Sequence, residues 1–534
     1  MFTLILYFFS ISIIFSFFGK IALKLLRIKA PIHAVLQLIL GMFLTMMTVW
    51  SVNFFTGFSL YFKFGLFIVA LLYLLMTKAK YCALKSMYLR IVKWKILNIV
   101  LFVFFVFLSL FISASFPMFF DNESYYLQTI NWVSEYGFVP GLMNLHPFLG
   151  QFSGWHILQS GVSFSIFNDI NAYFLILVLF FTFDKSFYKN NKWLSLLSLV
   201  FIFFVFFLAA PSPDLPIILL SVLSYYFFIK NYENPDVNDV KILTVLVAFS
   251  ILIKLTALPN LLLLLILLWK HQSLKSLVKQ TVLVLFISFG MLLAKNAIIT
   301  GYVFYPFTFS KDFWQPDWQY PSEMLAYLSE LGKNETYALN FDNQFVADFW
   351  NWLSQMPAMH AIMNSSFVLL LMIIPVLIKK NKALWWIYII GLLYFVAILF
   401  YAPNFRFFLS FYIFFILIIL EKIITKFSSI RYYLVSFALI AATVFSTYKY
   451  YLDFQDIFIP APNSVYNKRI TIGNEGNLIF YYPFDENEMF WETGNAKIPA
   501  LQRNQLNYFK RSFQYIPQLR KTDLKDGFYS KKVN

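Results

Sequence analysis

The sequence predicts an all-α polytopic membrane protein of about fourteen transmembrane helices, with an external loop region and a small extracytoplasmic C-terminal tail. Three observations carry that expectation. Of 534 residues, 60% are hydrophobic and only 13% charged, with 68 Phe, and the mean hydropathy is +0.69. The apolar residues fall in long uninterrupted blocks rather than in the one-sided stripes of soluble helices. Lys and Arg gather in short clusters between those blocks. This composition excludes a cytosolic enzyme, a disordered scaffold and a secreted disulfide module. The single cysteine, Cys82, can form no internal bridge.

About fourteen blocks are long enough to approach a bilayer span. The first seven run from Phe2 to Phe18, Ile32 to Trp50, Phe64 to Thr77, Ile96 to Phe116, Val162 to Phe183, Trp193 to Ala210 and Leu215 to Ile229. The others are Ile242 to Leu258, Leu261 to Trp269, Val282 to Ile299, Phe367 to Ile378, Leu384 to Tyr401, Phe407 to Leu420 and Tyr432 to Phe445. No basic residue precedes the first block and no small-residue cleavage site follows it, so it reads as a retained anchor. The block Leu261 to Trp269 is short and follows Pro259 and Asn260, so half of a tight hairpin is its alternative reading.

Orientation follows from the basic clusters, which favour the cytoplasm. Lys20, Lys24, Arg27 and Lys29 follow the first block; Lys78, Lys80, Lys85, Arg90, Lys93 and Lys95 follow the third; Lys185, Lys189 and Lys192 follow the fifth. Lys270, Lys275 and Lys279, then Lys379, Lys380 and Lys382, then Lys422, Lys426 and Arg431 keep the same register. The formal charge of +16 is therefore a topology signal, and no nucleic-acid partner is expected. Three polar stretches fall on the opposite side: Pro117 to Gly161, Thr300 to Ser366 and the tail from Tyr448. The chain divides into a three-span segment (1–95), a membrane core (96–447, with external loops 117–161 and 300–366) and a tail (448–534), whose mix of aromatic and charged residues (Phe484, Phe490, Trp491, Tyr508) suits a small folded lobe.

Ionisable residues at membrane depth are expensive and tend to line cavities. Here they converge on the outer ends of spans. Asp121 and Glu123 follow the fourth span, Asp214 closes Pro211-Ser212-Pro213-Asp214, Lys254 and Lys295 lie near the outer ends of their helices, and Arg406 opens the thirteenth span. Each has an ordinary reading: a helix end at the headgroups for Asp121, an N-cap for Asp214, snorkelling for Lys254 and Lys295. Together they suit transfer from a phosphate-bearing lipid to a hydroxyl. A carboxylate takes the acceptor's proton, and Lys and Arg hold the phosphate and the leaving charge. An extended loop at Asp121 and Glu123 would also let the pair hold a divalent metal; no other cofactor is expected. His146 either contacts a donor phosphate or caps the helix beginning near Pro147, and His156 reads as packing.

The Asp-x-Glu pair, Asp121 and Glu123, followed by the amphipathic stretch Tyr125 to Tyr136, resembles the first external loop of the GT-C superfamily, the multi-pass glycosyltransferases that use polyprenyl-phosphate-linked sugars. Gly137 to His146, Ser212-Pro213-Asp214, Lys254 to Pro259, Gly301 to Pro306 and Ala402 to Phe407 resemble pieces of a bacterial multi-pass group within it. The likeness covers roughly Ile96 to Leu420 and departs at Asn404, where an acid is expected. It implies a GT-C-like fold and an enzyme of the bacterial cytoplasmic membrane, facing the periplasm or exterior, that moves sugar from a lipid-linked donor to a glycan, lipid or protein acceptor. Asp121 would be the general base beside Glu123, with His146, Asp214, Lys254, Lys295, Tyr305 and Arg406 on the substrate. A transporter or flippase of lipid-linked saccharides, or an envelope polysaccharide polymerase or ligase, are the alternatives.

Overall fold

A computed structural model of the protein describes residues 2–29, 31–77, 83–114, 121–163, 170–184, 192–337, 345–354, 358–400, 403–426, 434, 437–438, 440–444, 469–484, 493 and 496–533. Cys82, Lys78, Lys80, Lys185, Lys189, Arg431, Phe490 and Trp491 lie outside the described residues, and the last expected span, Tyr432 to Phe445, does so in part.

The fold is mostly helical. In chain order it contains α1 (Phe2–Leu25), α2 (Ala34–Asn53), α3 (Leu60–Met76), α4 (Ala83–Ile91), α5 (Ile96–Ser113), α6 (Leu127–Glu135), α7 (Gly154–Val162), α8 (Asn171–Phe183) and α9 (Ile202–Val205). There follow α10 (Asp214–Asn231), α11 (Val237–Ile253), α12 (Asn260–Lys270), α13 (Lys275–Thr300), α14 (Ser322–Tyr337), α15 (Phe345–Ser354), α16 (Ala358–Ile378), α17 (Lys382–Leu399) and α18 (Phe405–Lys426). Among the described residues eight helices are long and apolar enough to cross a membrane: α1, α2, α5, α10, α13, α16, α17 and α18. Apolar helices too short to count with them include α3, α8 and the stretch through α12. The chain thus has the build of a multi-pass membrane protein.

Three expected spans take another form. Of the block from Val162, the first residue closes α7 and the described helix α8 covers only Asn171–Phe183. The block Trp193 to Ala210 is a 3-10 run, Lys192–Val200, followed by the one-turn α9. There Ser195 donates its hydroxyl to Lys192 O at 2.6 Å, which competes with the α-helical ladder. The block from Leu261 forms α12, an eleven-residue helix shorter than a bilayer needs.

α10 forms the centre of the bundle: 89% of it is buried, against 28% for α13. It packs on α8, α11, α12, α17 and α18, while α2, from the leading segment, packs on α7, α8 and α11. Contacts at the helix ends fall into two sets. At one end, Asp184 meets His33 and Arg90, Lys241 reaches Arg27 O and Lys270 reaches Glu233. At the other, Phe138 N donates to Asn53 O, Ser153 to Ile253 O, Gly141 N to Ile298 O and Trp352 to Pro403 O. The first end carries the basic clusters and the second carries the long loops.

The tail contributes what no apolar pattern announces. Strands β1 (Ile470–Glu475) and β2 (Leu478–Pro483) form one antiparallel hairpin, and β3 (Tyr515–Leu519) and β4 (Phe528–Lys532) another, with α19 (Arg503–Phe513) between them. The first hairpin turns through Gly476 at φ +64°, a left-handed conformation that favours glycine. The lobe docks on the loop-rich end. Phe528 is fully buried edge-on to Trp132, its N–H donates to Pro140 O, and Ser530 donates to Asn144 Oδ1 at 2.7 Å. Gly141 lies at this seam, where a Cβ would stand 2.1 Å from Phe528 O.

Candidate functional site

Four helix ends, distant in sequence, bring charged side chains together at the loop-rich end. Asp214 opens α10 because Pro211-Ser212-Pro213 cannot continue a helix, and Ser212 Oγ accepts the Asp214 N–H. A carboxylate in that first turn also complements the helix dipole. Lys254 stands where α11 stops, with extended backbone. Arg406 is in the first turn of α18, its N–H accepted by Asn404 Oδ1 at 3.0 Å. Asn404, where an acid was expected, thus does the turn-capping work that either side chain can do.

Asp121 precedes a single π-helical turn, Asn122–Tyr126, which runs into α6. A π-turn holds one residue more than an α-turn and re-aims the side chains around it, and such turns recur at functional sites. Here Tyr126 points back to Asp121.

The guanidinium of Arg406 joins the cluster. Nε and Nη2 lie 2.8 and 2.6 Å from Asp214 Oδ2, and Nη1 donates to Asp121 Oδ2 at 3.1 Å. Lys254 Nζ takes the other Asp214 oxygen at 2.5 Å and sits 5.1 Å from the centre of the Phe407 ring. Tyr126 Oη donates to Asp121 Oδ2 at 3.2 Å and accepts from Arg406 Nη2 at 3.2 Å. Burial first, and the charge of Asp121 second, raise the Tyr126 phenol above its ordinary range, so it remains a donor.

The two carboxylates are not equivalent. The side chain of Asp214 is 3% exposed and that of Asp121 29%. Asp214 is the buried anchor that aligns two cations, and Asp121 is the carboxylate that an incoming molecule can reach.

A polar clasp fixes the turn before Asp214. Asn171 Nδ2 donates to the carbonyls of Phe207, Ala210 and Ser212 at 2.7, 2.8 and 3.0 Å, while its Oδ1 accepts from Trp155 Nε1 at 2.7 Å. His156 Nε2 pairs with Pro211 O at 3.0 Å, and its ring packs 4.9 Å from that of Tyr126. Burial without a counter-charge lowers the His156 imidazole to about 3, so it is neutral and donates through Nε2. The sequence alone singles out neither Tyr126 nor Asn171 and reads His156 as packing. All three are fully buried in the fold, which the local sequence around them does not announce.

The other expected site residues lie apart from the cluster. Lys295 is buried, with its ammonium on Phe152 O at 2.8 Å and near the Trp50 ring. His146 takes the capping role: its Nδ1 accepts from Phe148 N at the start of the 3-10 turn Pro147–Gln151. Tyr305 packs beside Met143, Tyr302 and Tyr320. Glu123 is buried, and its carbonyl accepts from Thr493 Oγ1 at 2.7 Å and from Thr493 N at 3.3 Å, tying the tail to the π-turn. Among the described residues no three His, Cys, Asp or Glu side chains gather to hold a metal ion. A crevice lies elsewhere, between the tail lobe and the loop around Asn144, and no residue of the ionic cluster lines it.

A family model described as "Domain of unknown function (DUF8201)" matches residues 1–414. The match covers the leading helices and all four members of the ionic cluster, and the chain belongs to this family. No curated protein and no solved structure matches.

Proposed function

We propose that this family member is an integral-membrane glycosyltransferase of GT-C kind that works at the membrane face opposite the basic clusters. It would move a sugar from a polyprenyl-phosphate-linked donor to a hydroxyl of an envelope glycan, lipid or protein. What supports this is the meeting of a reachable carboxylate, Asp121, with two cations, Arg406 and Lys254, held in place by a buried second carboxylate. The loop-rich end is then extracytoplasmic, in keeping with the positive-inside pattern.

The chemistry follows from that division of labour. Donor phosphate enters beside Arg406 and Lys254 and competes with Asp121 for the guanidinium, whose planar fork suits phosphate as well as carboxylate. Asp214 stays in place and keeps both cations oriented. Asp121, released from Arg406, accepts the proton of the acceptor hydroxyl while that oxygen attacks the anomeric carbon. The bond from anomeric carbon to phosphate oxygen breaks, and the polyprenyl phosphate departs with its charge held by Arg406 and Lys254. Tyr126 holds Asp121 in position through the exchange.

Binding of polyprenyl phosphate to purified protein in lipid nanodiscs tests the clamp. Arg406→Lys keeps the charge and loses the fork, so affinity should fall about tenfold, or 1.4 kcal/mol. Unchanged affinity in a variant of normal stability removes Arg406 from the phosphate site.

A further inference from the structure

We propose that α4, with the turn that joins it to α5, binds an anionic phospholipid of the cytoplasmic leaflet. The helix is short, Ala83–Ile91, and lies in the chain between α3 and α5. Beyond its last residue the Val92 N–H still closes on Tyr88 O, so Lys85, Tyr88, Leu89 and Val92 fall within an arc of about 100° on one face. That face is bare: Tyr88, Leu89 and Val92 are 64, 49 and 57% exposed, and Lys85 is exposed beside them. The opposite face is fixed to the protein. Ala83 is buried, Arg90 is held by Asp184, and the Trp94 ring stands edge-on to Phe102 and 5.0 Å from the ring of Phe180.

What covers the bare face follows from its surroundings. Leu75 and Met76 at the end of α3, and Ile96 and Val100 at the start of α5, are exposed as well, and α5 is long and apolar enough to cross a membrane. The apolar surface of α4 thus continues onto the flank that α5 turns to lipid, at the level where that span begins. Helices of this build lie in the interface, with apolar side chains among the acyl chains and lysines at the headgroups.

Charge selects the headgroup. Lys85, Lys93 and Lys95 are exposed, and from Ala83 to Leu97 the chain has no Asp or Glu. Arg90 is already engaged, since it meets Asp184, which His33 also meets. Three ammoniums around an apolar patch favour the net negative charge of phosphatidylglycerol by about fivefold per lysine, whereas phosphatidylcholine carries its own cation beside its phosphate. A soluble anion would leave Tyr88, Leu89 and Val92 uncovered, so the phosphate comes with acyl chains. The inference rests on the multi-pass topology and not on sugar transfer.

The test is native mass spectrometry of the full chain in a neutral detergent, with phosphatidylglycerol and phosphatidylcholine of the same acyl chains as probes. The native chain should retain phosphatidylglycerol in preference, and Lys85→Gln with Lys93→Gln should cut that preference about tenfold or more while leaving phosphatidylcholine unchanged. The same loss of two charges on the C-terminal lobe, Lys525→Gln with Lys531→Gln, should leave the preference as it was. If the α4 pair unfolds early, Lys95→Gln, whose side chain makes no cap hydrogen bond, decides in its place by a loss of about fivefold. Equal retention of the two lipids, a preference unchanged in the stable variant, an equal loss from the lobe pair, or displacement of the lipid by inorganic phosphate at the same concentration overturns the proposal.

Discussion

Replacing Asp214 by Asn and Asp121 by Asn should separate stability from chemistry. Asp214 is 3% exposed and takes Lys254 on one oxygen and Arg406 on the other. Removing its charge leaves two partly buried cations with Asp121 alone. Breaking a fully buried pair from one side costs roughly 3 to 5 kcal/mol. Arg406 and Lys254 are 21% and 24% exposed, so water recovers part of that, and about 2 to 4 kcal/mol remains. Asp121 is 29% exposed, and its loss leaves Arg406 on Asp214, so Asp121→Asn should cost about 1 kcal/mol or less while ending turnover. Equilibrium unfolding of both variants in one detergent, followed by tryptophan fluorescence, gives the comparison. If Asp121→Asn is as destabilising as Asp214→Asn, the assignment of anchor and reactive carboxylate is wrong.

Three other outcomes follow from the same geometry. Tyr126→Phe removes the donor to Asp121 and the acceptor for Arg406, so it should lower stability by about 0.5 to 1.5 kcal/mol and reduce turnover less than Asp121→Asn; unchanged turnover in a sugar-transfer assay removes Tyr126 from the site. Burial lowers the His156 imidazole to about 3 from an unfolded value near 6.5, so its neutral state contributes stability that is complete above about pH 6.5 and is lost as pH falls toward 3. His156→Gln keeps a donor for Pro211 O and should flatten that decline in unfolding midpoint; an equal acid sensitivity in the variant contradicts the assignment. A cytoplasm-dependent reporter fused after Asn534 should be silent, and strong activity would move the whole site to the other face.

The sequence made the cluster legible because charge is rare in an apolar chain. Asp121, Asp214, Lys254 and Arg406 each stand at the end of an apolar block, and a common side was enough to group them. Lys295 satisfied the same rule, yet its ammonium turns to Phe152 O, since position along a helix does not give direction around it. Tyr126 was not legible because its aim depends on the π-turn Asn122–Tyr126, a one-residue backbone insertion that leaves no mark in composition. Asn171 was hidden for a related reason: it falls inside the expected span Val162 to Phe183, and its clasp on three carbonyls exists only after the chain from Phe207 to Ser212 folds over it. Apolar blocks foretold the longest helices well. They misjudged Trp193 to Ala210, where hydrophobicity guarantees burial and does not choose between α and 3-10 hydrogen bonding. The tail's hairpins rest on turn residues such as Gly476 and on the burial of Phe528 against Trp132, which are contacts between segments far apart in the chain.

Mass spectrometry of envelope glycans tests sugar transfer by Asp121 most directly, comparing cells that carry the native chain, no chain, or Asp121→Asn at matched membrane levels. General-base assistance is worth about 10² to 10⁴ in rate, so the account predicts a glycan species with the native chain that is missing from both other strains. Identical glycans in the native and Asp121→Asn strains, with the species absent only when the chain is deleted, would contradict the assignment of Asp121; identical glycans in all three would contradict the transferase itself.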